Sequence, residues 1–204
     1  MNGFPRLYSI ADATFGNPVE QAAALFEGGA RFLQVRNKNA NARTVLRQVE
    51  DILKIAPNDG SVIVNDRADV ALISGAAGVH LGQTDLAPHR ARRILQPHQI
   101  IGQSTHTLQQ ALEADRAAVN YIAVGPVFPT TTKTNPDPAI GLEGLRQICS
   151  RVRTPVVAIG GITIETVKDV LACGAASVAV ISDLLKAGDV SRRTQVWLRH
   201  IEGG

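Results

Sequence analysis

Residues 155–182 read PVVAIGGITIETVKDVLACGAASVAVIS and contain the smallest unit from which the fold can be predicted. Short β-branched runs at 155–159 and 177–181 predict two strands. The stretch between them, at 163–173, spaces its apolar residues three and four apart, which predicts a helix. Strands that alternate with helices pair in parallel through right-handed crossovers. This stretch therefore predicts one strand–helix–strand unit of a parallel sheet.

The same alternation extends back to the start of the chain. Further β-branched runs lie at 7–10, 31–35, 61–65, 78–81, 99–102 and 120–124. Helical spacing is found at 41–56, 67–75, 88–95, 107–118, 141–152 and 189–201, and a first helix begins at the Asn17–Pro18 cap and ends at Gly28–Gly29. Eight strand–helix units in 204 residues predict an α/β fold, a single (β/α)8 TIM barrel with parallel strands that spans residues 1–204 as one domain. A doubly wound open sheet is the alternative, because counting strands does not prove closure.

Composition narrows the class of function. Charged residues make up 19% of the chain and aromatic residues 4%, and 21 basic against 18 acidic residues give a net charge of +3. The basic residues form no concentrated run and few rings are present for base stacking, so no nucleic-acid partner is expected. The absence of a long apolar run or a signal peptide predicts no membrane partner. Two cysteines, Cys149 and Cys173, make no disulfide framework and predict a cytoplasmic location. The sequence allows a homo-oligomer.

The residues that follow the predicted strands point to anion and metal binding, because the active site of a parallel barrel lies at the C-terminal ends of its strands. After the second strand, Gln34, Arg36 and Lys38 alternate at a spacing of two, which places three donors on one side. Such a set suits a diphosphate, although a solvated loop would look the same. Asp66 and Asp85 follow the third and fourth strands, and Mg²⁺ prefers one or two carboxylates together with substrate phosphate oxygens. Each aspartate alone would also fit a helix cap.

The later strand ends add hydroxyls, an ammonium group and glycines. Ser104 and His106 follow the fifth strand, where the hydroxyl could bond a phosphate or cap a helix and the imidazole could be an acid–base group or a structural one. The 130–133 segment, Thr-Thr-Thr-Lys, offers hydroxyls and a cation that could neutralise a leaving group. Gly160–Gly161 and Ser182 follow strands seven and eight, the common phosphate cradle of such barrels. The residues thus predict a metal-assisted barrel that joins a diphosphate substrate to a monophosphate one.

Five motifs in this order resemble the thiamine-phosphate synthase family: QVRNK at 34–38, VNDR at 64–67, HLGQTD at 80–85, VGPVFPTTTK at 124–133 and AIGGI at 158–162. The resemblance extends from LYSIAD at 7–12 to AVIS at 179–182, which is nearly the whole chain. Each motif alone is weak, and their ordered combination is specific.

The resemblance implies a reaction between two small-molecule substrates. A hydroxymethylpyrimidine diphosphate loses diphosphate, and the nitrogen of a thiazole phosphate attacks the exposed methylene carbon to give thiamine phosphate. It implies that Mg²⁺ is held by Asp66 and Asp85. It also implies that the pyrimidine diphosphate is held by Gln34, Arg36, Lys38, Asn65, Ser104 and Lys133, of which Arg36, Lys38, Ser104 and Lys133 are expected to act in catalysis. The thiazole phosphate is expected to be surrounded by Thr130, Thr131, Thr132, Gly161, Ile181 and Ser182.

Two departures and two rival functions accompany the resemblance. Asn37 stands where the family commonly has glutamate, at a position expected to point away from the site. Only six residues precede the first predicted strand, which leaves the packing at the N-terminal end of the barrel undefined. A related thiazole tautomerase would use His106 as an acid–base group without a metal pair. A non-catalytic phosphate-binding barrel would not need a metal pair that faces a basic cluster.

Overall fold

The structure, a computed structural model, describes residues 4–117, 119–130 and 137–202. Within these ranges eight parallel strands follow one another around a closed barrel. The strands are β1 (Leu7–Asp12), β2 (Phe32–Arg36), β3 (Ser61–Asn65), β4 (Gly78–Leu81), β5 (Ile100–Thr105), β6 (Tyr121–Val124), β7 (Val156–Ile159) and β8 (Ser177–Val180). Leu7 of β1 pairs with Val178 of β8, and this last pairing closes the sheet. The predicted (β/α)8 barrel is confirmed, and the open-sheet alternative is wrong.

A helix of the described chain follows each strand, as the sequence predicts, and two helices follow the last strand, of which the short first one was not predicted. The helices are α1 (Pro18–Glu27), α2 (Ala42–Ile55), α3 (Ala68–Ser74), α4 (Pro88–Ala91), α5 (Leu108–Asp115), α6 (Gly141–Cys149), α7 (Val167–Ala172), α8 (Ser182–Leu185) and α9 (Val190–Glu202). The Asn17 side chain caps α1 by accepting from the amide of Val19, and Pro18 occupies the first turn. Both features confirm the predicted start of the first helix.

Two element boundaries differ from the sequence prediction in ways that affect the site. Strand β5 runs to Thr105 rather than ending at residue 102, so Ser104 lies within a strand and not after it. Helix α7 begins at Val167 instead of residue 163. The reason is local: the amide of Thr163 donates to the hydroxyl of Thr166 at 3.0 Å, which forms a turn before the helix starts.

Aromatic rings fill the N-terminal half of the barrel interior. Phe4 lies with its ring centroid 5.0 Å from that of Phe32 and 5.4 Å from that of Tyr121. Tyr8 packs edge-on against Phe32 at 4.5 Å. A Cβ at position 102 would lie 1.9 Å from the Tyr121 ring, so Gly102 of β5 makes the space that this ring occupies. Phe4 therefore packs on the aromatic rings at the N-terminal end of the barrel.

Helix α9 holds the loop after β8 in place. The indole of Trp197 is fully buried and its N–H donates to the carboxylate of Asp183 in α8. Arg193 pairs with the same carboxylate at 2.9 Å. Ser182, one residue before Asp183, is thereby fixed at the C-terminal end of the barrel. None of the helices in the described ranges is long and apolar enough to cross a membrane.

Candidate active site

A cavity of about 450 Å³ opens at the C-terminal ends of the strands. The structure brings eleven of the predicted site residues to its wall: Gln34, Arg36, Lys38, Asn65, Asp66, Asp85, Ser104, Thr130, Gly161, Ile181 and Ser182. Thr131, Thr132 and Lys133 lie outside the described residues. Seven of the eleven come from the β2–β5 side, and the other four come from the loops after β6, β7 and β8. The cavity therefore has two chemically different walls.

The three donors in and just after β2 each have a partner within the protein. Arg36 Nη1 lies 2.5 Å from Oδ2 of Asp12, a carboxylate whose side chain is 1% exposed. Lys38 Nζ lies 3.1 Å from Oδ2 of Asp66. Gln34 donates from Nε2 to the hydroxyl of Tyr8 at 2.8 Å. These contacts hold the side chains extended toward one cavity, as their spacing of two residues predicts.

Asp12 holds a site residue, Arg36, and was not predicted from the motifs. It ends β1, and its Oδ1 also accepts from the amide and the hydroxyl of Thr14 at 2.9 and 2.8 Å. A buried carboxylate next to Arg36 fixes the guanidinium in position and offsets part of its charge. The signal in the sequence was an aspartate at the end of a strand, which is the same signal that singled out Asp66.

Asp66 and Asp85 converge at the mouth of the cavity. Burial, followed by a hydrogen bond to Asp85, raises the pKa of Asp66, although Lys38 acts in the opposite direction. The backbone of Asp66 is in the left-handed region with φ of 63°, a conformation that non-glycine residues seldom adopt. Two carboxyl groups that compete for one proton, on a backbone held in an uncommon conformation, fit a site for a divalent cation.

The number of protein ligands at this pair also fits Mg²⁺. Oδ2 of Asp85 accepts from the amide of Gly82 at 2.7 Å, so this side chain orders its own loop as well. Among the described residues, no three His, Cys, Asp or Glu side chains gather as a metal-ligand set. The pair therefore offers two carboxylates, and a magnesium ion would complete its shell with water and substrate phosphate oxygens.

The opposite wall is built mainly from backbone. Gly160 and Gly161 follow β7 with φ of 100° and 65°. A Cβ at Gly161 would lie 2.6 Å from the carbonyl oxygen of Pro129 and 2.8 Å from Cβ of Phe128. The sequence reading assigned this glycine to close approach by a phosphate. The structure shows in addition that its missing side chain leaves room for the loop after β6, so the glycine lets two loops of the site pack together.

His106 has a structural environment. Its Nδ1 lies 2.6 Å from the carbonyl oxygen of Gly125 and 3.3 Å from Oδ2 of Asp137. Because a carbonyl can only accept, this nitrogen carries a hydrogen and ties β5 to the loop after β6. The contacts of Nδ1 give the imidazole a holding role, and His106 and Asp137 both line the cavity.

A second feature that was not predicted from the sequence is the set of hydrogen bonds around His80, which lines the cavity. His80 contacts the hydroxyl of Tyr121 through Nδ1 at 2.9 Å and the hydroxyl of Ser104 through Nε2 at 2.8 Å. The sequence reading used His80 only to argue against zinc, because a histidine within a strand gave no sign of its partners. Burial raises the pKa values of Tyr8 and Tyr121, so both phenols keep their hydrogens.

The closed sheet and this cavity define the chain as a (β/α)8 barrel with cationic and carboxylate side chains gathered at the C-terminal ends of its strands. Comparison with known proteins makes this class specific. The model of the thiamine monophosphate synthase family matches residues 7–184. The chain therefore belongs to the thiamine monophosphate synthase family, and it is an enzyme, a transferase of thiamine biosynthesis.

Individual relatives agree with the family assignment. The thiamine-phosphate synthase of Koribacter versatilis is 44% identical over 188 residues, which cover 89% of each chain. That of Chlorobium phaeovibrioides is 42% identical over 201 residues, covering 98% of this chain and 96% of the relative. The solved structure of thiamine phosphate pyrophosphorylase from Pyrococcus furiosus superposes with a TM-score of 0.89 at 39% identity, over 97% and 96% of the two chains.

Proposed function

We propose that the chain joins hydroxymethylpyrimidine diphosphate to thiazole phosphate and releases diphosphate. The observation that supports this best is the convergence of Arg36 and Lys38 with Asp66 and Asp85 in one cavity. Cations beside a carboxylate pair suit a diphosphate bound with a metal ion. The opposite wall, with Gly161 and Ser182, is left for the second phosphate.

In the proposed reaction, the bond between the methylene carbon and the diphosphate oxygen breaks, and its electron pair leaves with the diphosphate. The aminopyrimidine stabilises the cation that remains, and the thiazole nitrogen then supplies the electron pair of the new C–N bond. No enzyme nucleophile is needed. The work of the protein is to position the two substrates and to stabilise charge on the leaving group.

The residues of the β2–β5 wall supply that stabilisation. Asp66 and Asp85 would hold Mg²⁺, which when bound neutralises charge on the diphosphate. Arg36 and Lys38 already point along the cavity wall, because Asp12 and Asp66 hold them there. Asp66 would hold the ion in place of its contact with Lys38, and the ammonium group of Lys38 would then be available to the diphosphate.

The loop after β6 completes the proposal. Thr130 lines the cavity, and we assign it, with Thr131 and Thr132, to the thiazole phosphate. Lys133 is assigned to the departing diphosphate, where a compact ammonium group would balance growing charge. Lys133→Ala should lower turnover and raise hydrolysis of the pyrimidine diphosphate relative to coupling, as measured by the ratio of alcohol to thiamine phosphate in a single turnover. An unchanged ratio would contradict the assignment.

The test of the function is incubation of the protein with both substrates and Mg²⁺, followed by mass detection of thiamine phosphate. Product that requires both substrates supports the proposal. Isomerisation of the thiazole in the absence of the pyrimidine would identify a tautomerase. Binding of both phosphates without turnover would identify a non-catalytic barrel. The carboxylate pair beside Lys38 in the same cavity favours the coupling reaction over tautomerisation.

We also propose that residues 1–204 act as one barrel domain in the cytoplasm, without a nucleic-acid partner, alone or as a homo-oligomer. The free thiols Cys149 and Cys173 support a reducing compartment. Size-exclusion chromatography with light scattering measures the oligomeric state.

A further inference from the structure

A chain of hydrogen bonds crosses the interior of the barrel and joins two residues of the cavity wall. It contains one residue from each of five strands and is called here the barrel chain: Gln34 (β2), Tyr8 (β1), Tyr121 (β6), His80 (β4) and Ser104 (β5). Its four successive distances are 2.8, 2.8, 2.9 and 2.8 Å. The chain begins at a side chain of the basic wall and ends at a hydroxyl that lines the same cavity.

The direction of the barrel chain follows from its first member. The amide nitrogen of Gln34 has only hydrogens to offer, so the oxygen of Tyr8 accepts. Tyr8 is 1% exposed. Its single hydroxyl hydrogen is donated to the hydroxyl oxygen of Tyr121 at 2.8 Å. Tyr121 has likewise one hydrogen, which is then left for Nδ1 of His80.

The same argument fixes the far end. A neutral imidazole carries one hydrogen, so His80 must carry it on Nε2 when Nδ1 accepts from Tyr121. Nε2 then donates to the oxygen of Ser104 at 2.8 Å. Because the oxygen of Ser104 accepts from His80, the hydroxyl hydrogen of Ser104 is left to donate to an acceptor in the cavity.

We propose that the barrel chain makes Ser104 a hydrogen-bond donor to the substrate, with Gln34 setting the direction and His80 acting as a positioning residue in its Nε2–H form. The acceptor would be a ring nitrogen or a diphosphate oxygen of the pyrimidine substrate, a detail that rests on the proposed function. The polarity of the chain itself does not depend on that function. The inference explains why two tyrosines and a histidine, none of them at the C-terminal end of a strand, are joined by hydrogen bonds at the cavity.

The first test is the tautomer of His80 in the unmodified protein without substrate. Nitrogen NMR of protein labelled in its histidine rings, recorded at a pH where the imidazole is neutral, distinguishes the two ring nitrogens. The expected result is a hydrogen on Nε2. A hydrogen on Nδ1 would mean that the chain runs the other way, and would overturn the inference whatever the enzyme's activity.

The second test reverses the chain. In Gln34→Glu an ionised carboxylate can only accept, so each hydrogen bond should reverse and the hydrogen of His80 should move to Nδ1. The matched control is Gln48→Glu, which makes the same change in charge on α2. Gln48 accepts from Asn37 through Oε1 at 3.1 Å, a bond that glutamate preserves, and it lies outside the barrel chain. A shift of tautomer in Gln34→Glu alone supports the inference, and a retained Nε2–H form in Gln34→Glu contradicts it.

A third variant covers the case in which Gln34→Glu does not fold. Tyr121→Phe keeps the ring that fills the barrel and removes the hydroxyl that donates to His80. The imidazole should then populate both tautomers. Turnover should fall about tenfold, the value of one aligned hydrogen bond to the substrate, with a smaller change in KM. A pure Nε2–H form in this variant would mean that the barrel chain does not control His80.

The kinetic and spectroscopic readouts separate the two proposals. If the protein does not couple the substrates but His80 carries Nε2–H and responds to Gln34→Glu, the function is wrong and the barrel chain stands. If coupling occurs and the tautomer is Nδ1–H, the function stands and the barrel chain is wrong.

Discussion

The two walls of the cavity recognise anions by different means. On the β2–β5 wall, charged side chains dominate, and each cation is already paired: Arg36 with Asp12 and Lys38 with Asp66. On the β6–β8 wall, Asp137 is the one charged residue among the described residues that line the cavity, and glycine and loop backbone take the place of cations. One wall therefore depends on balanced charges, and the other on backbone conformation.

The two walls are therefore sensitive to different kinds of substitution. Side-chain recognition fails when a partner is removed, because an unpaired charge in a partly buried site is unfavourable. Backbone recognition fails when a side chain is added, because the loop no longer fits. Substitutions that remove a charge on one wall and add a methyl group on the other measure the two strategies separately.

The largest effect is expected at Asp12. Asp12→Asn keeps the shape and the contact with Thr14 but leaves Arg36 without its counter-charge, so the free energy of unfolding should fall by about 3 kcal/mol. The control is Asp59→Asn, which breaks an exposed ion pair: the side chain of Arg31 is 41% exposed and that of Asp59 is 73% exposed. It should lower the free energy of unfolding by less than about 1 kcal/mol. Urea unfolding of both variants measures the difference. Equal losses would show that burial of the Arg36 pair has no energetic consequence.

The backbone wall is tested by adding a methyl group at Gly161. Gly161→Ala should destabilise the protein by roughly 2 kcal/mol, because a positive φ is unfavourable and the new Cβ meets Pro129 and Phe128. KM for the thiazole phosphate should rise more than KM for the pyrimidine diphosphate. The control is Gly75→Ala, at φ of 71° with no heavy atom within 4 Å of the new Cβ, which should cost roughly 1 kcal/mol. If both KM values rise equally in Gly161→Ala, the two walls do not bind separate substrates.

The assignment of Asp85 to the metal site predicts a smaller energetic effect, which falls on the activation barrier of the reaction. Asp85→Asn keeps an oxygen that can accept from Gly82 but removes a negative charge. Turnover at limiting Mg²⁺ should fall at least about tenfold, or about 1.4 kcal/mol, while thermal stability stays close to that of the parent. Steady-state kinetics over a range of Mg²⁺ concentrations measures it. Full activity at limiting Mg²⁺ would remove Asp85 from the metal site.

The smallest effect is expected in the pH dependence of stability at Asp66. Because the pKa of this carboxyl is raised in the folded state, the native protein binds the proton more tightly than the unfolded chain does. Stability is therefore lost as the pH rises from the ordinary value of 3.8 through the folded pKa. Asp66→Asn, with asparagine tolerant of the positive φ, should be more stable than the parent at neutral pH. This gain in stability should vanish in acid, where the Asp66 carboxyl is protonated in both the folded and the unfolded protein.

Mg²⁺ provides the control for that experiment. The ion should stabilise the parent protein and not Asp66→Asn, since a ligand that binds only the folded state raises its stability. Chemical unfolding at several pH values, with and without Mg²⁺, checks both points. A parent protein that is the more stable of the two at neutral pH without metal would contradict the raised pKa.

The sequence by itself determined the repeating unit and most of the cavity wall. Residues 155–182 already contain two strands and a helix, and the apolar runs recur because every strand of a parallel barrel is buried on both faces. Once the strands are known, the residues after them fall at one end of the barrel. For this reason Arg36, Asp66 and Ser182 could be predicted from their position in the sequence alone.

The hydrogen-bond and ion-pair partners of these residues could be identified only from the tertiary structure. Closure of the barrel brings β1 beside β8 and places Tyr8, Tyr121 and His80 in contact, although Tyr8 and Tyr121 are 113 residues apart. Local patterns carry no record of such contacts, because periodicity reports which face a residue occupies and not what lies across the barrel. The same limit hid the pairing of Asp12 with Arg36 and the loop packed against Gly161. The residues of the site follow from local order, and their pairing follows from closure.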